Sequence, residues 1–203
     1  MLQIEGKLSF MNQRLAAENI VASPLRVPAS SRAALMIDNE EGVLAEMRVQ
    51  PATDEHLPFL CRVYASARAD EMAAVDWRDA EKNAFIEQQF VFQHRYYHEH
   101  HPDAQFLVIT QRNEAIGRLY WRSEGDQAAL MDISLLPAHR GAGLGSAILG
   151  LLMAHADANE QLTTLYVEPN NPAHRLYRRF GFTVVADNGV YLKMCRAPRG
   201  VRQ

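Results

Sequence analysis

The segment Leu135-Leu136-Pro137-Ala138-His139-Arg140-Gly141-Ala142-Gly143-Leu144-Gly145-Ser146 constrains this chain more than any other. An extended run, Ala128–Leu136, is stopped by Pro137, and three alternating glycines lead into a helix over Gly143–Ala158. Leu144, Ile148, Leu149, Leu151, Leu152 and Met153 make that helix apolar nearly all round, so it packs between layers. Strand, tight turn and buried helix together predict an α/β domain. The start of such a helix carries unpaired N–H groups at the positive end of its dipole, which suits phosphate oxygens. Gly141, Gly143 and Gly145 admit positive φ and let a ligand approach without Cβ clashes, and Arg140 adds a fixed positive charge. Gly145 is followed by Ser146 and Ala147 rather than by lysine and a hydroxyl residue, so the Walker pattern fails. The dinucleotide pattern fails too, because Ser146 stands where its third glycine belongs.

The other elements read in order. Met47–Gln50 is a strand stopped by Pro51, and Thr53 caps a helix running to about Ala69, with Asp54 and Glu55 in its first turn. A second helix spans Arg78–His100, with Phe85, Phe92 and Tyr96 near one another. Strands follow at Gln105–Thr110, Ala115–Ser123 and Ala128–Leu136, then at Leu162–Val167 after the buried helix. Pro172–Phe180 is a short helix with proline in its first turn. Thr183–Ala186 and Val190–Met194 form a hairpin across Asn188-Gly189, a pair suited to a type I′ turn. The resulting fold class is α/β (α+β mixed): a mixed, mostly antiparallel sheet with helices on both faces. Residues 1–46 differ. Pro24, Pro28 and neighbouring serines break any pattern, leaving a tail with one short helix around Asn12–Asn19. The domain is expected over 47–196, with 197–203 as a C-terminal tail.

A second motif follows the buried helix and one strand. In Asn170-Asn171-Pro172-Ala173-His174-Arg175-Leu176-Tyr177-Arg178-Arg179-Phe180-Gly181-Phe182, the pattern N-x-x-A-x-x-L-Y-x-x-x-G-F is met by Asn170, Ala173, Leu176, Tyr177, Gly181 and Phe182. With Arg140-x-x-Gly143-x-Gly145 upstream, the chain resembles the GNAT N-acetyltransferase superfamily over about Met47–Arg196. The resemblance implies that the loop, Arg140 to Ser146 with Ala142 and Leu144, holds the pyrophosphate of acetyl-CoA. It also implies that an asparagine, Asn170 or Asn171, and Ala173 contact the cofactor, and that the Tyr177 hydroxyl lies near its sulfur. Strands Ala128–Leu136 and Leu162–Val167 would splay, with the backbone of Ile133, Ser134 and Leu135 pairing with pantetheine and the Leu135 N–H polarising the thioester.

The chemistry agrees with that resemblance. Collapse of a tetrahedral intermediate expels a thiolate whose thiol has a pKa of about 8.5, and a phenol can supply its proton. An amine of pKa about 10.4 must also lose a proton before it attacks. Asp132 on the central strand is the first choice as base, directly or through water, with Glu168 second. The other reading of Asp132 is a carboxylate that orders Arg118 or Arg122, and of Glu168 a solvated rim charge. The family's first two helices form the acceptor wall, which points to Trp77, Gln89 and Tyr96, whose alternative role is ordinary core packing. The reaction expected is acetyl transfer from acetyl-CoA to a primary amine of a small molecule or protein. The alternative is a non-catalytic CoA-binding or partner-binding module.

Composition narrows the remaining classes. A formal net charge of −3 gives no electrostatic reason to expect nucleic acid. No run approaches the roughly 18 apolar residues of a membrane span, and MLQIEGKLSF lacks a secretory pattern, so a cytoplasmic monomer or homodimer is expected. Cys61 and Cys195 read as separate reduced thiols. His94 and His98, four apart on a helix, could present two ligands to zinc, but a third at motif spacing is missing, so no metal is expected.

Overall fold

The computed structural model describes residues 44–200, so the helix expected around Asn12–Asn19 lies outside the described residues. Ala52–Pro102 belongs to one compact unit, and residues 44–51 with 103–200 to another.

The first unit is helical. Thr53 and His56 cap each other around the 3₁₀ turn Asp54–His56, the Thr53 N–H donating to His56 Nδ1 at 3.0 Å. Helices α1 (Leu57–Ala67), α2 (Ala69–Ala73) and α3 (Asp79–His100) follow. The single helix expected to about Ala69 is interrupted at Arg68, whose φ of −112° and ψ of 8° leave the helical region. On α3 the buried stripe is Ile86, Gln89, Phe90 and His94, not the expected row of Phe85, Phe92 and Tyr96, which are half-buried. Phe90 meets Tyr64 of α1 at 6.0 Å between ring centroids, so aromatic packing sets which face turns inward.

The second unit is a seven-stranded sheet: β1 (Met47–Pro51), β2 (Gln105–Gln111), β3 (Glu114–Glu124), β4 (Gln127–Leu135), β5 (Leu162–Val167), β6 (Thr183–Asp187) and β7 (Leu192–Arg196). Their spatial order is β1-β2-β3-β4-β5-β7-β6. Every pairing is antiparallel except β4 with β5. Arg112 and Asn113 both have positive φ, so the two-residue turn of primed type joins β2 to β3. At the place expected for such a turn only Gly189 is positive, and four residues separate β6 from β7. Asn188 Oδ1 organises that wider loop by accepting from Val190 and Tyr191 N–H.

Helices α4 (Leu144–Ala158) and α5 (Ala173–Arg179) close one face of the sheet. Leu144, Ile148, Leu149 and Leu152 of α4 and Tyr177 of α5 share a core with Trp121, Leu130, Leu165 and Val167. Arg196, 4% exposed, grips Asp157 at the end of α4 through two bonds of 2.7 Å and donates Nε to the Phe180 carbonyl. Both cysteines are free thiols. No helix among the described residues is long and apolar enough to cross a membrane.

Candidate active site

One irregularity in β4 builds the site. Trp121 pairs with Leu130 and Tyr120 with Asp132, so Met131 is an extra residue, a β-bulge. The parallel pairing of β4 with β5 ends at Leu130↔Leu165, immediately before it. Beyond that point the two strands part, and among the described residues Asp132–Leu135 has β3 on one side and no strand on the other. The bulge also changes parity. Ala128 and Leu130 face the core, whereas Asp132 and Ser134, paired with Tyr120 and Arg118, face away from it. Without the extra residue Asp132 would enter the apolar core.

Strand alternation also orients the backbone at the gap. The Leu136 N–H donates to Ile116 O across β3, so the Leu135 and Ile133 groups point the other way, into the gap. The Leu135 carbonyl is taken by Arg140 Nε at 2.7 Å, which leaves the Leu135 N–H facing the opening. Ser134 turns its backbone to β3 and its hydroxyl to the Asp132 carboxylate at 2.7 Å. That hydroxyl contact was not expected; two residues apart on one strand face was the signal for it.

The glycine loop follows. Gly141 and Gly143 have φ of 80° and 85°, the left-handed region where a side chain would be strained. A Cβ on Gly141, Gly143 or Gly145 would meet nothing within 4 Å, so the loop faces open space. Gly143 is the N-cap, and its carbonyl takes the Ala147 N–H at 3.0 Å, so the N–H groups of Leu144, Gly145 and Ser146 precede the first turn's bonding. Ser146 Oγ accepts from Arg179 Nη2 at 3.2 Å, bringing the end of α5 to the start of α4. Ala142 and Arg140 are exposed on the same turn. These groups fit a diphosphate: aligned amides, room for it, and cationic side chains beside them.

Tyr177 lies on the core side of the gap, 8% exposed, its ring edge-on to Phe182 at 6.0 Å. Burial pushes its hydroxyl up to about 12, and the negative charge of Asp132 adds to the rise. Tyr177 thus turns to the core face of the sheet and Asp132 to the other. Asp132 is held by Arg118, whose Nη2 donates at 2.6 Å; Arg118 is 2% exposed and lies over the Tyr120 ring at 5.0 Å. Glu168 is half-buried just past β5. Asn171 lies two residues before α5, its Oδ1 accepting the Ala173 N–H at 2.9 Å, while Asn170 is exposed one residue earlier.

Trp77, Gln89 and Tyr96 lie in the helical unit. Trp77 is exposed and edge-on to Phe85, Gln89 is buried, and Tyr96 stacks on His100 at 4.2 Å. No group of three or more potential metal-ligating side chains occurs among the described residues.

The model of the Acetyltransferase (GNAT) family matches residues 69–182, more than half of the chain. A [ribosomal protein bS18]-alanine N-acetyltransferase from Haemophilus influenzae is 32% identical over 80 residues, 39% of this chain and 55% of that protein. The chain thus spans about half the length of the curated relative it matches. Among solved structures, the PaiA N-acetyltransferase from Thermoplasma acidophilum, in complex with coenzyme A, has a TM-score of 0.58 at 17% identity. That match covers 74% of this chain and 98% of the other. An acetyltransferase from Thermus thermophilus has a TM-score of 0.57 at 21% identity, covering 76% and 98%. These likenesses show a shared fold. The glycine turn and the Tyr177 helix fall inside the family match, and the chain belongs to the acetyltransferase (GNAT) family of N-acetyltransferases, for which acetyl-CoA is the acetyl donor.

Proposed function

We propose that the protein transfers an acetyl group from acetyl-CoA to a primary amine of a small molecule or protein, by direct attack in the gap between β4 and β5. The observation that carries this reading is the bulge at Met131, which parts the strands beside Tyr177 and frees the Leu135 N–H. The loop Arg140–Ser146 would hold the diphosphate, with Asn170 and Ala173 beside the cofactor and Asn171 fixing the start of α5. Ile133 and Leu135 would pair with the pantetheine amides as an added strand does.

The amine nitrogen bonds to the thioester carbon while the carbonyl oxygen gathers charge against the Leu135 N–H. The C–S bond then breaks, and Tyr177 gives its proton to the thiolate. A phenol near 12 is a weak acid, but the burial that raises it also raises a thiol beside it, which narrows the mismatch. Asp132 accepts the amine proton, directly or through water, with Arg118 and Ser134 fixing its carboxylate; Glu168 is the second candidate. Thiol release measured over an amine panel tests the reading. Turnover with at least one amine is expected, and cofactor binding without turnover on any would remove it. Asp132→Asn against Glu168→Gln separates the bases, because the one in use should lose the acidic limb of the kcat/KM profile.

A further inference from the structure

Tyr166, on β5, is 63% exposed, the barest large apolar side chain among the described residues. A lone exposed aromatic residue is ordinary on a protein surface; its position is what makes this one different. Thr163, Leu165 and Val167 turn into the core, so Leu162, Thr164 and Tyr166 turn to the other face. That is also the face of Asp132 and Ser134. Tyr166 is the first residue of β5 past its last pairing with β4, so it stands on the lip of the gap.

The two faces of the gap then differ in what they leave for an acceptor. Tyr177 and the core beneath α4 and α5 close one of them. An amine reaches the thioester from the other, past Tyr166. The cross-strand neighbours of Tyr166 and Thr164 on this face are Lys193, Cys195, Thr183 and Ala186, so the one charge among them is positive. Asp132 is already matched by Arg118. Glu168 at the end of β5 is then the nearest carboxylate along the strand, too little to hold a long polycation. A bare ring suits an apolar or planar group instead.

We infer that Tyr166 is a specificity-determining residue: its ring is the shelf on which the acceptor group adjoining the reacting amine lies, favouring amines with an apolar or planar neighbour over linear polyamines. This rests on the N-acetyltransferase mechanism above. The test compares wild type, Tyr166→Ala and Tyr166→Phe with 2-phenylethylamine, a free-amino tetrapeptide bearing phenylalanine second, its glycine counterpart, and a linear triamine. With the phenyl-bearing amines, Tyr166→Ala should raise the acceptor KM about three- to tenfold. Saturated kcat and acetyl-CoA affinity should hold, and Tyr166→Phe should restore the wild-type KM. An unchanged KM for Tyr166→Ala, a Phe variant as impaired as the Ala one, or a wild-type preference for the triamine would overturn the inference alone. A wild-type protein that acetylates other amines of the panel but none of these four overturns the inference alone; acetyl-CoA binding without turnover on any amine overturns the mechanism, and the inference with it.

Discussion

The helical unit and the sheet unit bury polar groups in opposite states. In the helical unit His94 is 3% exposed and its neighbour His98, 4.3 Å away between ring centroids, is lowered to about 4, first by burial and then by His94. In the sheet unit Arg118 and Arg196 are as deeply buried but charged, each tied to a carboxylate. A neutral His98 fills space at ordinary pH and becomes a liability in acid. Ion pairs hold geometry instead, and here they flank the gap and lock α4 to β7. The difference teaches that the sheet unit is built to hold charged side chains in fixed positions.

The strongest way to break this contrast is at the glycine loop. Gly143→Glu places a like charge and bulk at the turn proposed to hold the diphosphate, at a φ of 85°. It should weaken acetyl-CoA binding by at least about 100-fold in calorimetry, while α3 keeps its amide protection. Tyr177→Phe should lower kcat by about 100-fold with acetyl-CoA affinity intact; equal loss in both would make the residue a packing element. Arg196→Met leaves Asp157 with the Arg199 N–H but no ion-pair partner of its own and should cost about 3 kcal/mol in denaturant unfolding of the sheet unit.

A pH series sharpens the contrast further. Because the folded pKa of His98 is depressed, its contribution to stability is full above about 6.5 and is lost as pH falls toward about 4. Hydrogen exchange should therefore show α3 opening first on acidification. Tyr177 has a raised pKa, so its contribution is full below about 10 and lost as pH rises to about 12. The sheet unit should weaken there, less so in Tyr177→Phe.

Much of this was legible because local rules and global fold agreed. The strand–turn–helix at Pro137–Ser146 is dictated by proline, glycine and apolar spacing, and Leu162–Val167 was placed residue for residue. What escaped depended on packing across distance. The bulge at Met131 has no glycine to mark it, and plain alternation through Leu130 and Asp132 would have put the carboxylate in the core. The primed turn fell on Arg112-Asn113 rather than Asn188-Gly189, because the β2–β3 register leaves two residues between strands and the β6–β7 register leaves four. Arg140 was read as a phosphate ligand, yet its Nε also holds the end of β4. Arg118 was foreseen as one of two arginines Asp132 could order, and its burial decides which.

A crystal structure with coenzyme A tests the central claim most directly. Pantetheine should lie between β4 and β5, with the diphosphate against the amides of 141–146 and the sulfur within hydrogen-bond reach of the Tyr177 hydroxyl. Coenzyme A bound elsewhere, or a sulfur remote from that hydroxyl with the gap closed, would contradict it.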